Sequence, residues 1–213
     1  MRQKFKISFF MVLVFIANSY CGHAQIKKEN LKLGFTYGTG SQNKFPFNDS
    51  DYTHEVKFYK TQINYRIKNK QNWAFEVNLE PSYNVIEHQL LNKYYVKPSD
   101  AENYQELTEL YMQKRTLKEY VLNCGFIVRY KIYNGISTYA IGSAGPMVCD
   151  KATERIAKGF AFSDVFGFGL SYEINKLQFD FRHSFRHTSN LELKQPNGGH
   201  NTVNAEFSVL FKL

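Results

Sequence analysis

The last two segments of the chain constrain its fold most, because apolar and polar residues alternate in them one by one. In 177–186 the odd positions hold leucine, histidine and phenylalanine, whereas Gln178, Asp180, Arg182 and Arg186 take even ones. In 203–213 every odd position is apolar. Because side chains alternate across a β-strand, each segment has one apolar and one polar face.

Eight such alternating stretches can be counted, each long enough for a tilted membrane strand of about 9–11 residues. They cover 30–40, 54–67, 72–88, 119–133, 135–145, 159–174, 176–187 and 201–213. Connections after the even-numbered stretches are short and the others are long, a pattern in which the short turns are periplasmic. We therefore predict an all-β fold: an eight-stranded antiparallel transmembrane up-and-down β-barrel with short periplasmic turns and long outer loops.

The N-terminus predicts secretion. Three basic residues precede an apolar run over 7–17, and Gly22-His23-Ala24 supplies small residues for cleavage. That run is too short to cross a bilayer as a helix. We predict a signal peptide at 1–24 and a barrel domain at 25–213. Attachment as a lipoprotein through Cys21 is disfavoured, because a bulky tyrosine precedes it.

The charge of the chain is mildly basic, and removing the signal lowers the formal net charge from +8 to +5. Secretion argues against nucleic acid as a partner, so the excess positive charge is better explained by attraction to an anionic lipid surface. A solvated basic surface explains it equally well. A soluble barrel with its apolar face inward would alternate in the same way, but the signal peptide and the unequal loops favour the membrane.

Several local features refine this prediction. Asn134-Gly135 predicts a type I′ hairpin, whose two central residues need positive φ. The stretch 101–118 breaks the period of two and predicts a short helix in the second outer loop. Cys124 and Cys149 remain in the mature chain, and the sequence leaves open whether they form a disulfide or two separate thiols.

The outer end of the seventh stretch holds His187 and Ser189 on the apolar face. Polar groups on a lipid-facing surface are tolerated near the headgroups, where the ester bonds of a lipopolysaccharide also lie. Residues two apart on a strand bring imidazole and hydroxyl within reach of each other, and a serine activated by histidine is the usual arrangement for acyl transfer. A His-x-Ser pair alone is more often structural than catalytic.

The surrounding sequence gives this pair its meaning. His187-Thr188-Ser189-Asn190, then Leu193-Lys194-Gln195-Pro196-Asn197-Gly198-Gly199 and a final strand, resembles the C-terminal signature of the lipid A 3-O-deacylase family. Upstream, 139–145 and 166–170 resemble its glycine-rich strands. The resemblance covers roughly 135–213, and the rest matches only in strand pattern. It implies an integral protein of the Gram-negative outer membrane that acts on lipid A, with its active face toward the outer leaflet.

The resemblance also implies roles for individual residues. His187 would be the general base and Ser189 the nucleophile of an acyl-enzyme mechanism. The Asn197 side chain and the backbone N–H of Leu191 would stabilise the oxyanion, and Asn190 would support the site. No cofactor is expected.

Two departures from the family pattern matter. Leu191-Glu192 replaces a small Ala-Gly, and Asn201 replaces the carboxylate that orients the histidine. Asn201 can hold the imidazole but cannot stabilise its charged form, and the equivalent change in serine proteases costs about 10⁴ in rate. Glu192 and Glu206 are weaker candidates for that role, since Glu206 has inward parity.

Other functions are weighed against the esterase. A non-catalytic structural or surface-binding barrel is the alternative, and a porin is disfavoured because eight strands enclose only side chains. His183 and His187, with His200 in the following loop, suggest a metal site, but His183 and His187 are four apart on a strand and too far along it to chelate easily, so we expect none. Charges over 150–158 either bind lipid phosphates or are solvated. A homodimer is left open.

Overall fold

Eight strands follow one another around a closed ring in chain order, and the last pairs with the first. The computed structural model describes residues 27–213, so the predicted signal peptide lies outside the described residues. The strands are β1 (Leu31–Ser41), β2 (Tyr52–Lys70), β3 (Trp73–Leu90), β4 (Arg115–Tyr133), β5 (Ile136–Cys149), β6 (Gly159–Ile174), β7 (Leu177–Ser189) and β8 (His200–Lys212). A 3₁₀ turn, Lys28–Asn30, precedes β1, and one helix, α1 (Tyr104–Met112), lies between β3 and β4. All neighbouring strands are antiparallel, which confirms the predicted fold.

The two faces of the barrel follow the predicted parity. Along β7 the even-numbered residues are buried in the interior, while Leu177 and Phe181 lie exposed on the outside. β8 behaves likewise except at Val203, which is only 4% exposed on the outward side. Its register partner Phe185 meets the ring of Phe47 edge-on at 6.1 Å, so the first outer loop covers this part of the outer face.

Paired charges fill the middle of the barrel interior. Arg182 is 1% exposed and donates to Glu80 at 2.8 and 3.2 Å and to Glu206 at 2.6 Å. Lys60 reaches the same Glu206 oxygen at 2.6 Å. Because an unpaired buried charge is strongly destabilising, this network fixes both the register of the strands and the closed shape of the barrel.

The upper interior changes character toward the outer rim. Apolar side chains from β2, β3 and β4 form a layer there: Val56, Phe58, Ile86 and Leu117. Cys149 is buried in a neighbouring apolar layer, whereas Cys124 is exposed. The two thiols face opposite sides of the sheet and both are free, which answers the question that the sequence left open.

The three periplasmic turns are two residues long, as predicted at 134–135 and 175–176, whereas the first is shorter than the predicted 68–71 because β2 continues to Lys70. One of the three also differs in type. Only Gly135 of the Asn134-Gly135 turn has positive φ, +74°, and the register shifts between Lys131 and Tyr133. The hairpin is therefore bulged, and the predicted type I′ turn is wrong, because an extra residue in β4 lets a single glycine make the turn.

The predicted helix over 101–118 is correct in kind but too long. α1 ends at Met112, and Arg115 already pairs with His88 in the ladder between β3 and β4. Residues 115–118 form strand rather than helix because the strand buries Leu117 inside the barrel. Within residues 27–213, no helix has the length and apolarity needed to span a membrane.

Candidate active site

The outer ends of β7 and β8 bring the predicted histidine and its partner together. His187 and Asn201 are directly opposite in register, and both side chains lie on the outer face of the barrel. The Nδ1 atom of His187 is 2.7 Å from the Asn201 Oδ1. Since an amide oxygen only accepts, Nδ1 carries the proton and Nε2 is the basic nitrogen.

Ser189 is the last residue of β7, two positions beyond His187 on the same face, and its side chain is partly exposed. Within the described part of the chain, the two residues are not hydrogen-bonded to each other. Catalytic hydrogen bonds are often long before substrate binds and tighten in the complex. Residues two apart on one side of a strand are close enough for a change of rotamer to bring a hydroxyl and an imidazole together.

The fourth outer loop, 190–199, starts with an unusual backbone. Leu191 and Glu192 have φ of 52° and 61°, in the left-handed region that disfavours residues with a side chain. These are the two positions where the sequence departs from Ala-Gly. The departure therefore leaves two strained residues close to Ser189, since each left-handed non-glycine residue costs about 1–2 kcal/mol.

The strained turn positions both predicted oxyanion donors. The Oδ1 atom of Asn197 accepts the backbone N–H of Asn190 at 2.8 Å, so its Nδ2 hydrogens remain to donate elsewhere. The Asn190 side chain holds the loop together by donating to the Lys194 carbonyl at 2.6 Å. In residues 27–213 the Leu191 N–H has no hydrogen-bond acceptor, which leaves it free for a ligand.

A carboxylate that sequence reasoning missed lies on the other side of the histidine. Asp164 on β6 is the register partner of His187 and is exposed on the same outer face. Directly opposed residues have Cβ atoms about 4.5–5.5 Å apart. The signal was present in the sequence, because counting back from the two-residue turn at Asn175-Lys176 aligns these two positions.

Comparison with known protein families identifies the family of this chain. The family model described as Lipid A 3-O-deacylase (PagL) matches residues 51–209, which is most of the chain. The chain belongs to the lipid A 3-O-deacylase (PagL) family. It is thus an integral protein of the Gram-negative outer membrane. No curated protein matches it by sequence.

The solved structure of PagL supports the fold of this chain, and two other outer-membrane barrels resemble it more weakly. The crystal structure of the outer membrane enzyme PagL is 13% identical, with a TM-score of 0.55, and the match covers 83% of this chain and 97% of that one. Neisserial surface protein A matches at 10% identity and a TM-score of 0.47, over 86% and 96% of the two chains. The N-terminal barrel of Pseudomonas aeruginosa OprF matches at 14% and 0.44, over 86% and 98%. At 13% identity the likeness to the PagL structure concerns the fold alone.

One side chain ties the loops of this PagL-family barrel together above the site. Arg155, in the third outer loop, donates to the Gly199 carbonyl at 2.7 Å and to the Tyr95 hydroxyl at 3.0 Å. It also pairs with Asp49 of the first outer loop at 3.5 Å. Burial raises the pKa of Tyr95, so its hydroxyl stays a neutral acceptor. Arg155 thereby links all four outer loops and fixes the loop that carries Asn197.

The remaining predicted residues also have definite places. Glu206 lies inside the barrel, as its parity predicted, and Glu192 is exposed on the fourth loop. Glu154 is buried and Arg155 is engaged internally, so these two loop charges have partners within the protein. His200 is not in a loop as predicted: it is the first residue of β8 and points into the barrel, because β8 begins one residue earlier than expected.

Proposed function

We propose that this protein is an outer-membrane esterase that removes a 3-O-linked hydroxyacyl chain from lipid A by acyl-enzyme chemistry at Ser189. The observation that carries the proposal is the His187–Asn201 pair, which fixes the imidazole on the outward face beside the serine. Membership of the PagL family supplies the substrate class.

The first half of the reaction would transfer the acyl chain to the protein. His187 Nε2 takes the proton from Ser189 Oγ as this oxygen attacks the ester carbonyl carbon. Negative charge collects on the carbonyl oxygen, where Asn197 Nδ2 and the Leu191 N–H can donate. The bond between the carbonyl carbon and the sugar oxygen then breaks. His187 gives its proton to this departing oxygen, which leaves as a sugar hydroxyl.

The second half would release the fatty acid. His187 removes a proton from a water molecule that attacks the acyl-serine ester, and the same two donors stabilise the second oxyanion. When this intermediate collapses, Ser189 regains its proton from His187. The sum is hydrolysis of one ester bond, with no cofactor.

The imidazolium that forms in each half needs electrostatic support. Asn201 orients the ring but brings no negative charge, so its support falls short of that of a carboxylate. Asp164, opposite His187 on β6, supplies a negative charge on the same face. Its contribution would be electrostatic, because the Nδ1 position is already occupied by Asn201.

The position of the site suits a substrate that is itself part of the membrane. His187 and Ser189 continue the lipid-facing row of β7 at its outer end, so lipid A of the outer leaflet would approach sideways. Phe185 lies one pair below His187, with Phe47 against it, and offers an apolar wall for an acyl chain.

The test is mass spectrometry of lipid A after incubation with the purified, detergent-folded protein. We expect wild type to release a hydroxy fatty acid and Ser189→Ala to release none. Thr61→Ala is the matched control, because it removes an exposed outward hydroxyl from β2, away from the site. If wild type and an Asn201→Glu variant both leave lipid A intact, the esterase proposal is wrong and the protein is a non-catalytic structural or surface-binding barrel.

A further inference from the structure

Three histidines that the catalytic proposal does not use meet inside the outer rim. His54 on β2 and His88 on β3 are register partners, and His200 starts β8. All three are buried, at 2%, 0% and 2% exposure. All three lie near the outer ends of their strands with their side chains inward, so closure of the ring brings them together.

The ring nitrogens of this histidine cluster lie close together, and because the rings of His54 and His200 are stacked with 15° between their planes, one of the two must rotate for both to bind one ion. One nitrogen from each residue lies within 4.8 Å of the other two. The Nδ1 atoms of His54 and His88 are 3.2 Å apart. Two imidazole nitrogens bound tetrahedrally to one Zn²⁺ at about 2.0–2.1 Å are separated by roughly 3.3 Å. The observed spacing therefore fits a shared metal ion as well as a hydrogen bond.

The outer nitrogens of two of these rings are held in the way that metal-binding histidines usually are. His88 Nε2 is 2.8 Å from Glu154 Oε2, and His200 Nε2 is 3.0 Å from Thr153 Oγ1. Such contacts orient a ligand ring, and a carboxylate also makes it more basic. Both partners belong to the third outer loop, and both contacts leave Nδ1 facing the centre of the cluster.

The cluster also has unsatisfied polar atoms. In residues 27–213, His54 Nε2 and His200 Nδ1 are buried without any hydrogen-bond partner, and so is Glu154 Oε1. Leaving a buried polar atom unpaired costs about 1–3 kcal/mol. Of these atoms, His200 Nδ1 is the one that an ion bound within the cluster would engage.

We propose that His54, His88 and His200 bind one divalent transition-metal ion, for which Zn²⁺ is the best fit. Neutral imidazole is a preferred ligand of zinc. Three protein ligands with water in the fourth position form a recognised zinc arrangement. Glu154 supplies negative charge next to the ion.

The position of this metal site gives it a structural role. The site joins the outer ends of β2, β3 and β8 to the third outer loop through Glu154. The residue after Glu154 is Arg155, which donates to the Gly199 carbonyl of the fourth loop. His200 also precedes Asn201 and pairs with Thr188, which lies between His187 and Ser189. The ion would brace, from inside, the two strand ends that carry the candidate active site outside.

The experiment measures metal bound to the full-length mature barrel, refolded in detergent without metal. Titration with Co²⁺ should give the visible absorption of a tetrahedral centre, and elemental analysis after Zn²⁺ loading should give about one ion per barrel. Neither readout depends on lipid A hydrolysis, so failure of this inference and failure of the proposed esterase are distinguishable.

The variants separate metal binding from folding. His88→Gln should lower the affinity at least tenfold, and Glu154→Gln should lower it by about 10–100-fold with all three ligands intact. The matched control His183→Ala removes an exposed histidine from β7 and should bind as wild type does. Folding of each variant is checked by its heat-dependent gel mobility. The inference is overturned if wild type binds no more Co²⁺ than His88→Gln, or if His183→Ala loses binding equally.

Discussion

Arg182 and His187 lie five positions apart on the same strand, yet the barrel treats their charges in opposite ways. Arg182 points inward and meets two carboxylates, Glu80 and Glu206. His187 points outward and is held by the neutral amide of Asn201. Inside, a permanent charge without compensation would strongly destabilise the barrel. Outside, the proposed mechanism charges the imidazole only during the reaction, so a neutral partner would lower turnover rather than stability.

The largest effect should come from giving His187 a charged partner. We expect Asn201→Glu to raise the rate of deacylation at least tenfold, and at most by the factor of about 10⁴ that the serine-protease template sets. The physical reason is that a carboxylate stabilises the imidazolium, whereas an amide only orients the ring. Release of hydroxy fatty acid under single-turnover conditions measures the rate.

Asn201→Gln is the matched control, because it has the length of glutamate without the charge. It should not exceed the wild-type rate. If Asn201→Glu is no faster than wild type, the missing negative charge beside His187 does not limit the rate of deacylation. The difference between the partners of Arg182 and His187 would then have no effect on catalysis.

The second effect should come from breaking the interior. Arg182→Met leaves Glu80 and Glu206 with only Lys60 between them and should lower the free energy of unfolding by about 3–5 kcal/mol. Urea titration in lipid vesicles measures this. The double variant Arg182→Met/Glu206→Gln should lose less than the two single changes together, because it removes both charges of one pair. A loss below about 1 kcal/mol would contradict the role assigned to Arg182.

The third effect tests the carboxylate on the other side of His187. Asp164→Asn should lower kcat about five- to tenfold with little change in KM, because the lost charge acts on the imidazolium and not on bound lipid. Glu192→Gln removes an exposed carboxylate from the fourth loop and should leave kcat unchanged. Equal losses in both variants would mean that general surface charge, rather than the β6–β7 pairing, is responsible.

The smallest effect concerns the strained turn. Glu192→Gly should raise the free energy of unfolding by about 0.5–1 kcal/mol, because glycine relieves the left-handed backbone at a modest cost in chain entropy. Leu193→Gly, one residue later and without positive φ, should instead lower it. Urea midpoints with unchanged slopes would confirm both directions, and a destabilised Glu192→Gly would show that the glutamate side chain has a contact worth more than the strain.

The sequence predicts most of this fold because a strand alternates with a period of two. The faces of β7 and β8 follow from that period, and so does the inward position of Glu206. Where the prediction is wrong, a tertiary effect wins over a local one: burial of Leu117 extends β4 into the predicted helix, and a bulge replaces the type I′ turn at Gly135.

The candidate site is predictable in part, for a physical reason. The β6–β7 turn is two residues long, so the pairing of Asp164 with His187 can be counted. The β7–β8 loop is long, so the pairing of His187 with Asn201 needed the family resemblance. The histidine cluster needed closure of the ring, since His54, His88 and His200 are distant in the chain, although their shared parity at strand ends was a signal.

Arg155 makes the outer surface a single unit rather than four separate loops, and this bears on how the surface can change. Replacing one outer loop with a loop from another barrel would remove its bond to the Arg155 guanidinium and loosen the other three. The four loops should therefore be transferred between barrels together. A foreign peptide is best inserted near Ser99, on an exposed stretch of the second loop beyond Tyr95. Insertion within 190–199 would disturb the whole rim.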